Sequence, residues 1–159
     1  MIVADTAALR TALPRNQRLL GLDLGDKTIG LALSDPGLSV ASPVATIRRT
    51  KFTADATALL KLAAERGVGG LVIGLPLNMD GSEGPRCQST RQFAANLLKL
   101  KDLPIMFWDE RLSTMAVERE MIAHDVTRAK RDKVVDQAAA AFILQGALDA
   151  LARTRASSD

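Results

Sequence analysis

The rhythm of apolar and polar positions changes several times along the chain, and each change predicts an element. Residues 1–17 carry a short helix-compatible stretch, Asp5 to Leu13, ended by Pro14 and the polar Arg15-Asn16-Gln17, and read as an N-terminal extension. From Arg18 onward three short runs, RLLGLDLG, TIGLALSD and LSVASPVATI, are separated by Gly25-Asp26-Lys27 and Asp35-Pro36-Gly37. Runs this apolar, joined by turns this short, predict an antiparallel three-strand meander. Phe52 to Arg66 then places Leu59, Leu60, Leu62 and Ala63 at helical spacing and stops at Gly67, a glycine C-cap. The strand VGGLVIGLP follows, then a polar loop from Leu77 to Gly84, a helix from about Pro85 to Lys101, and the strand PIMFWD. Two final helices are expected, Leu112 to Ala123 and Val134 to about Arg153, separated by the basic connection HDVTRAKRDK.

A meander followed by alternating helices and strands is the pattern of an α/β fold. It predicts a five-stranded mixed sheet, the three-strand antiparallel meander plus two parallel strands, flanked by helices. Right-handed crossovers would set the first strand beside the two later ones, with their carboxyl ends together, where open α/β sheets build sites. The expected domain spans residues 18–153, with 154–159 as a polar C-terminal tail, and 159 residues suit a single core. No apolar run approaches the ~20 residues of a membrane-spanning helix, and no signal-peptide pattern opens the chain. The expectation is a soluble cytoplasmic protein with no membrane partner.

Composition narrows the chemistry. With 47% hydrophobic and 25% charged residues the chain should fold. One cysteine, Cys87, excludes an intramolecular disulfide, and one histidine, His124, excludes a multi-histidine metal centre and weakens any Ser-His-Asp reading. A net charge of +3 permits a nucleic-acid partner without demanding one. Carboxylates are the main candidates left.

Three sites supply them. Asp23 lies in a run so apolar that both faces of its strand should be covered, which makes a carboxylate expensive unless a cation or donors compensate it; pairing with Lys27 is the plainer alternative. Asp109 and Glu110 emerge where the last strand ends, and one acid can order that turn while the other faces a site. Asp136 shares a helical stripe with Ala140, Ile143 and Ala147, so it should face the protein. Acids converging in this way repel one another unless divalent cations screen them, and hard oxygen ligands select Mg²⁺ or Mn²⁺ over zinc. Phosphodiester hydrolysis by water, with no protein nucleophile, is the chemistry that suits such a cluster. Two basic knots agree in kind: Arg128, Lys130, Arg131 and Lys133 before Asp136, and Arg48, Arg49 and Lys51 after the third strand. The loop from Asn78 to Gly84 can aim backbone amides at a phosphate. With no tyrosine, four phenylalanines and one tryptophan, recognition should rest on backbone and shape more than on base stacking.

Four ordered motifs, LGLDLGDKTIGLALSD, LVIGLPLNMDGSEG, DERLST and VDQAAA, cover nearly all of residues 18–150 and resemble the YqgF/RuvX family of RNase H-like nucleases. The resemblance implies an RNase H-like fold, kinship with Holliday junction resolvases, dependence on a divalent metal (Mg or Mn), and a role in maturing the 5′ end of pre-16S rRNA during ribosome biogenesis. It implies Asp23, Glu110 and Asp136 as catalytic and metal-binding acids, with Asp109 as the alternative ligand to Glu110. Lys27, Asn78, Arg111, Arg128, Lys130, Arg131 and Lys133 are the expected nucleic-acid contacts. Where relatives often place an arginine before the Ile-Gly pair, this chain has Thr28. Structured nucleic acid is the expected partner, with pre-16S rRNA ahead of branched DNA. A Holliday junction resolvase-like DNA endonuclease and a non-catalytic RNA-binding assembly factor are the competing readings, and symmetric cutting would call for a homodimer.

Overall fold

The computed structural model describes residues 1–110 and 128–158. Its strands are β1 (Ile2–Val3), β2 (Arg18–Leu24), β3 (Thr28–Ser34), β4 (Ala41–Arg48), β5 (Val68–Leu75) and β6 (Ile105–Asp109); its helices are α1 (Thr6–Ala12), α2 (Phe52–Glu65), α3 (Pro85–Leu100) and α4 (Arg128–Ser158). The sheet runs in the order β1-β6-β5-β2-β3-β4. The meander β2-β3-β4 is antiparallel, and β5 and β6 join parallel on the other side of β2. The carboxyl ends of β2, β5 and β6 therefore meet at one end of the sheet.

The sheet has six strands where the periodicity predicts five. The additional strand is β1, whose Ile2 and Val3 pair in parallel with Ile105 and Met106. Two residues are too few to show a period of two, so no pattern announces it. It is fixed by the chain terminus, whose ammonium group binds Asp102 and donates to the Leu103 carbonyl at 2.7 Å. Behind it, α1 lies on α4: Leu9 is fully buried, and Arg10 donates to the Leu151 carbonyl at 2.7 Å.

The middle helices match their predicted limits to within a residue. Gly67 follows α2 at a φ of 67°, the left-handed conformation that ends helices and that a β-carbon disfavours. The last helix differs more, beginning at Arg128 and not at Val134, and reaching Ser158. Arg, Ala and Lys are good helix formers, and the stretch from Arg128 to Lys133 holds no breaker, so what reads as a polar connection is already helix. The helix predicted from Leu112 to Ala123, and Arg111 before it, lie outside the described residues.

Alternation along the strands divides the interior into two cores. Leu20, Leu22 and Leu24 of β2, with Ile29 and Leu31 of β3 and Leu71 and Ile73 of β5, pack under Leu59 of α2 and Phe93 and Leu97 of α3. On the opposite face Leu19, Ala32, Val72 and Met106 pack against Ile143, Leu144 and Ala147 of α4. Here the strands present small residues, and α4 comes down almost to the backbone. A β-carbon on Gly21 would stand 2.7 Å from Leu144 Cβ and 2.9 Å from the Ala140 carbonyl oxygen.

Candidate active site

Asp23 is one alternation beyond Gly21 on β2 and so shares the α4 face, half-buried. Its cross-strand neighbours continue through Gly30 of β3 to Thr46 of β4. At Thr46 the row meets α4, where Gln137 Nε2 donates to Thr46 Oγ1 at 2.8 Å. The first half of α4, with the backbone of Asp136, thus crosses the sheet at the level of Asp23. Farther along, Gln145 accepts from Ala41 N at 2.9 Å, which fixes the helix's direction over β4.

Glu110 follows the last residue of β6 and turns back over β5. The strand position beneath it is Gly74, where a β-carbon would collide with Glu110 Oε2 and with Ile143 Cδ1. A glycine there is what lets the carboxyl group lie on the sheet. The Glu110 carboxyl is joined to that of Asp23 by a hydrogen bond. Two ionised carboxylates have only acceptors to offer, so this contact requires a shared proton or a cation in its place. Burial pushes the Glu110 carboxyl above its ordinary range; the Arg86 guanidinium and the bond to Asp23 pull the other way, and the Asp109 charge adds to the rise.

The structure therefore brings together two of the predicted acids, Asp23 and Glu110, while the side chain of the third, Asp136, lies outside the described residues. Asp109, the last residue of β6, is exposed and influences Glu110 through its charge. Among the described residues no group of three or more His, Cys, Asp or Glu side chains stands together. Asp23 and Glu110 are nonetheless a fitting donor set for a hard divalent cation: carboxylate oxygens, adjacent, partly desolvated, and destabilised as a pair of like charges.

Of the predicted nucleic-acid contacts, Lys27 and Asn78 lie in loops at this end, and the side chains of Arg128, Lys130, Arg131 and Lys133 lie outside the described residues. Lys27 is exposed in the β2-β3 turn, and its carbonyl accepts from Arg49 N at 2.8 Å. Asn78 is exposed in the loop after β5, with Nδ2 donating to Ser82 Oγ at 3.1 Å and its backbone N to the Ser82 carbonyl at 2.9 Å. The loop closes onto α3 through a bidentate pair, Glu83 with Arg91, at 2.7 and 3.0 Å. Arg91 also lies over the Phe107 ring, 4.9 Å from its centroid. Arg128, Lys130, Arg131 and Lys133 belong to the first turns of α4.

Arg86 is the residue that the sequence reading passed over. It lies in the first turn of α3, and its charge acts on Glu110. The available signal was positional: a helix entered from the carboxyl end of a parallel strand aims its N-terminus at the site.

A family profile described as "RuvX: Holliday junction resolvase" matches residues 17–150 of this chain. The chain belongs to the RuvX family. Among RuvX relatives, a protein of Rhodospirillum centenum named "Putative pre-16S rRNA nuclease" is 63% identical over 95% of this chain and 83% of its own length. One of the same name from Rhodopseudomonas palustris is 68% identical over 89% of each chain. The solved structure of Thermus thermophilus RuvC in complex with a Holliday junction substrate superimposes with a TM-score of 0.50 at 11% identity, covering 80% of this chain and 91% of that one. At that identity the likeness speaks for the fold, which is the RNase H-like fold of the resolvases. RuvX membership makes the protein a nuclease acting on nucleic acid. No described helix is long and apolar enough to cross a membrane.

Proposed function

We propose that this RuvX protein is a cytoplasmic endonuclease, dependent on Mg²⁺ or Mn²⁺, that hydrolyses phosphodiesters of structured RNA during 5′-end maturation of pre-16S rRNA. The observation that carries the proposal is the Asp23–Glu110 pair, two carboxyls held together at the carboxyl ends of β2 and β6 over a glycine that makes room for one of them. Asp136 enters as the third acid, from the helix that crosses at the level of Asp23, and Asp109 is the alternative ligand.

A bound divalent cation supplies activation of water and neutralisation of the leaving oxygen. The chain's own residues do the rest. Asp23 and Glu110 offer oxygen donors whose mutual repulsion makes cation binding favourable. Gly74 and Gly21 keep α4 and the carboxylates close to the sheet, so the donors are set before the substrate arrives. Arg86 holds positive charge beside Glu110, where a phosphodiester would otherwise meet only acids. Lys27, Asn78, Arg111 and the run Arg128, Lys130, Arg131 and Lys133 extend the contact along the strand. A homodimer would present two such sites.

The test is cleavage of a 5′-extended 16S precursor and of a four-way DNA junction, each with Mn²⁺, Mg²⁺ or EDTA, by wild type and Asp23→Asn. Expected is cutting of the RNA that disappears with EDTA and with the variant. Cutting of the junction alone would transfer the reading to a DNA resolvase, in line with the family's description. Binding without cutting, indifferent to the mutation, would make the protein an assembly factor.

A further inference from the structure

Beyond the acid pair, β2 ends in a cleft of about 370 Å³ whose lining includes Gly25, Asp26, Arg49, Thr50, Arg86 and Ser89. We infer that this cleft is a phosphate subsite, in which the Arg49 and Arg86 guanidinium groups bind a backbone phosphate of the nucleic-acid strand next to the scissile one. The inference rests on the nuclease reading above and deepens it, setting Arg49 of the second basic run and Arg86 of α3 together on one phosphate.

Three features carry it. Two arginines from distant parts of the chain converge on one cleft, and among the described residues neither forms a salt bridge with a carboxylate. Guanidinium forks are suited to phosphate oxygens, and two of them outweigh the single acid of the lining, Asp26. The first fork is already aimed: Arg49 spends Nη1 on the Gly25 carbonyl at 2.7 Å and lies 5.9 Å from the centroid of the Phe93 ring. That bond ties it to a residue two places beyond Asp23, roughly 7 Å along the strand. Finally, the cleft wall is rigid and hydroxyl-bearing. Buried Asp55 accepts from Thr50 N at 3.1 Å and Thr50 Oγ1 at 3.2 Å, and Thr90 Oγ1 donates to the Arg86 carbonyl at 2.9 Å. Ser89, exposed at the start of α3, adds a hydroxyl donor beside that helix's N-terminal amides.

The experiment uses full-length Asp23→Asn protein without metal, so that binding is read apart from cleavage. A labelled single-stranded RNA containing the cleavage site is titrated over a range of salt concentrations. Adding Arg49→Gln and Arg86→Gln together should weaken binding roughly 10- to 100-fold and flatten the slope of log affinity against log salt by about 1.4, some 0.7 for each lost contact. Replacing single phosphates of the RNA by neutral methylphosphonates supplies a readout that needs no protein variant. One position near the cleaved bond should cost about tenfold with intact arginines and nothing in the double variant. An unchanged salt slope, or a methylphosphonate effect that persists in the double variant, overturns the subsite. So would binding of inorganic phosphate or a nucleoside monophosphate in the cleft that leaves RNA affinity unaltered, since the site would then serve a free anion. Failure of wild-type protein to cleave any substrate would count against the nuclease reading and leave these binding results intact.

Discussion

The two faces of the sheet are built from the same six strands and yet are opposites. Under α2 and α3 the strands present Leu20, Leu22, Ile29, Leu31, Leu71 and Ile73, large side chains that hold the helices away from the backbone and make a conventional core. Under α4 they present Gly21, Gly30, Ala32 and Gly74, and the helix descends until Leu144 and the Ala140 carbonyl nearly touch Gly21. Asp23 and Glu110 both belong to this second face. The second face still buries a core of its own, Leu19, Val72 and Met106 under Ile143, Leu144 and Leu148, and its glycines bring helix and backbone close to the acids at the strand ends. Both faces stabilise, and the second also sets the geometry of the acids.

The largest way to test that division is Asp23→Asn. Cleavage should fall by roughly a thousandfold, about 4 kcal/mol of barrier, while the melting temperature stays level because the Asn amide can donate to Glu110 in place of the shared proton. Rate and thermal unfolding measured on one preparation decide it; a parallel loss of both would mean that Asp23 is structural. Leu59→Ala, on the other face, should reverse the pattern. A fully buried leucine leaves a cavity worth about 2–5 kcal/mol in denaturant titration, with kcat per folded molecule unchanged. A catalytic defect larger than the folded fraction explains would show that the faces are not independent.

Gly74→Ala lies between these extremes. The added methyl meets the Glu110 carboxyl and the end of Ile143, so cleavage should drop about 10- to 100-fold, with a stability cost of about 1–3 kcal/mol. Normal activity in this variant would separate Glu110 from the chemistry. The smallest effect is expected at the far end of the meander. There Asp35 accepts from Val40 N at 2.9 Å and Ser39 N at 2.7 Å, and these bonds hold its carboxyl below the ordinary value of 3.8. A depressed native pKa stabilises above the unfolded value and is lost as pH falls through the native one. The difference in melting temperature between wild type and Asp35→Ala should therefore be present at neutral pH and close below about pH 4. A gap that is constant with pH would assign the effect to packing of the turn.

Much of this was legible in the chain. The meander, α2, α3 and the two parallel strands announce themselves because long apolar runs broken by glycine and acid-rich turns allow few alternatives. Asp23 stands out because its neighbours are so apolar. Less legible was anything settled by a contact between distant residues. Asp109 and Glu110 are adjacent in sequence, and only the turn back over Gly74 shows which of them meets Asp23. Arg86 looks like any arginine at a helix start until α3 is set against the end of β2. β1 is invisible because two residues carry no period, and its stability comes from a terminal ammonium group that no pattern records.

That terminal tie also bears on how copies of the protein can meet. An open sheet invites growth by strand addition along either rim. Here one rim is occupied by a two-residue strand whose amino group is engaged, too short to template another chain. The other rim, β4, carries Pro43, which has no N–H to donate, and a register irregularity opposite it. Both margins are thus poor templates for a neighbouring β-strand, and the sheet is kept from growing into its neighbours at high concentration.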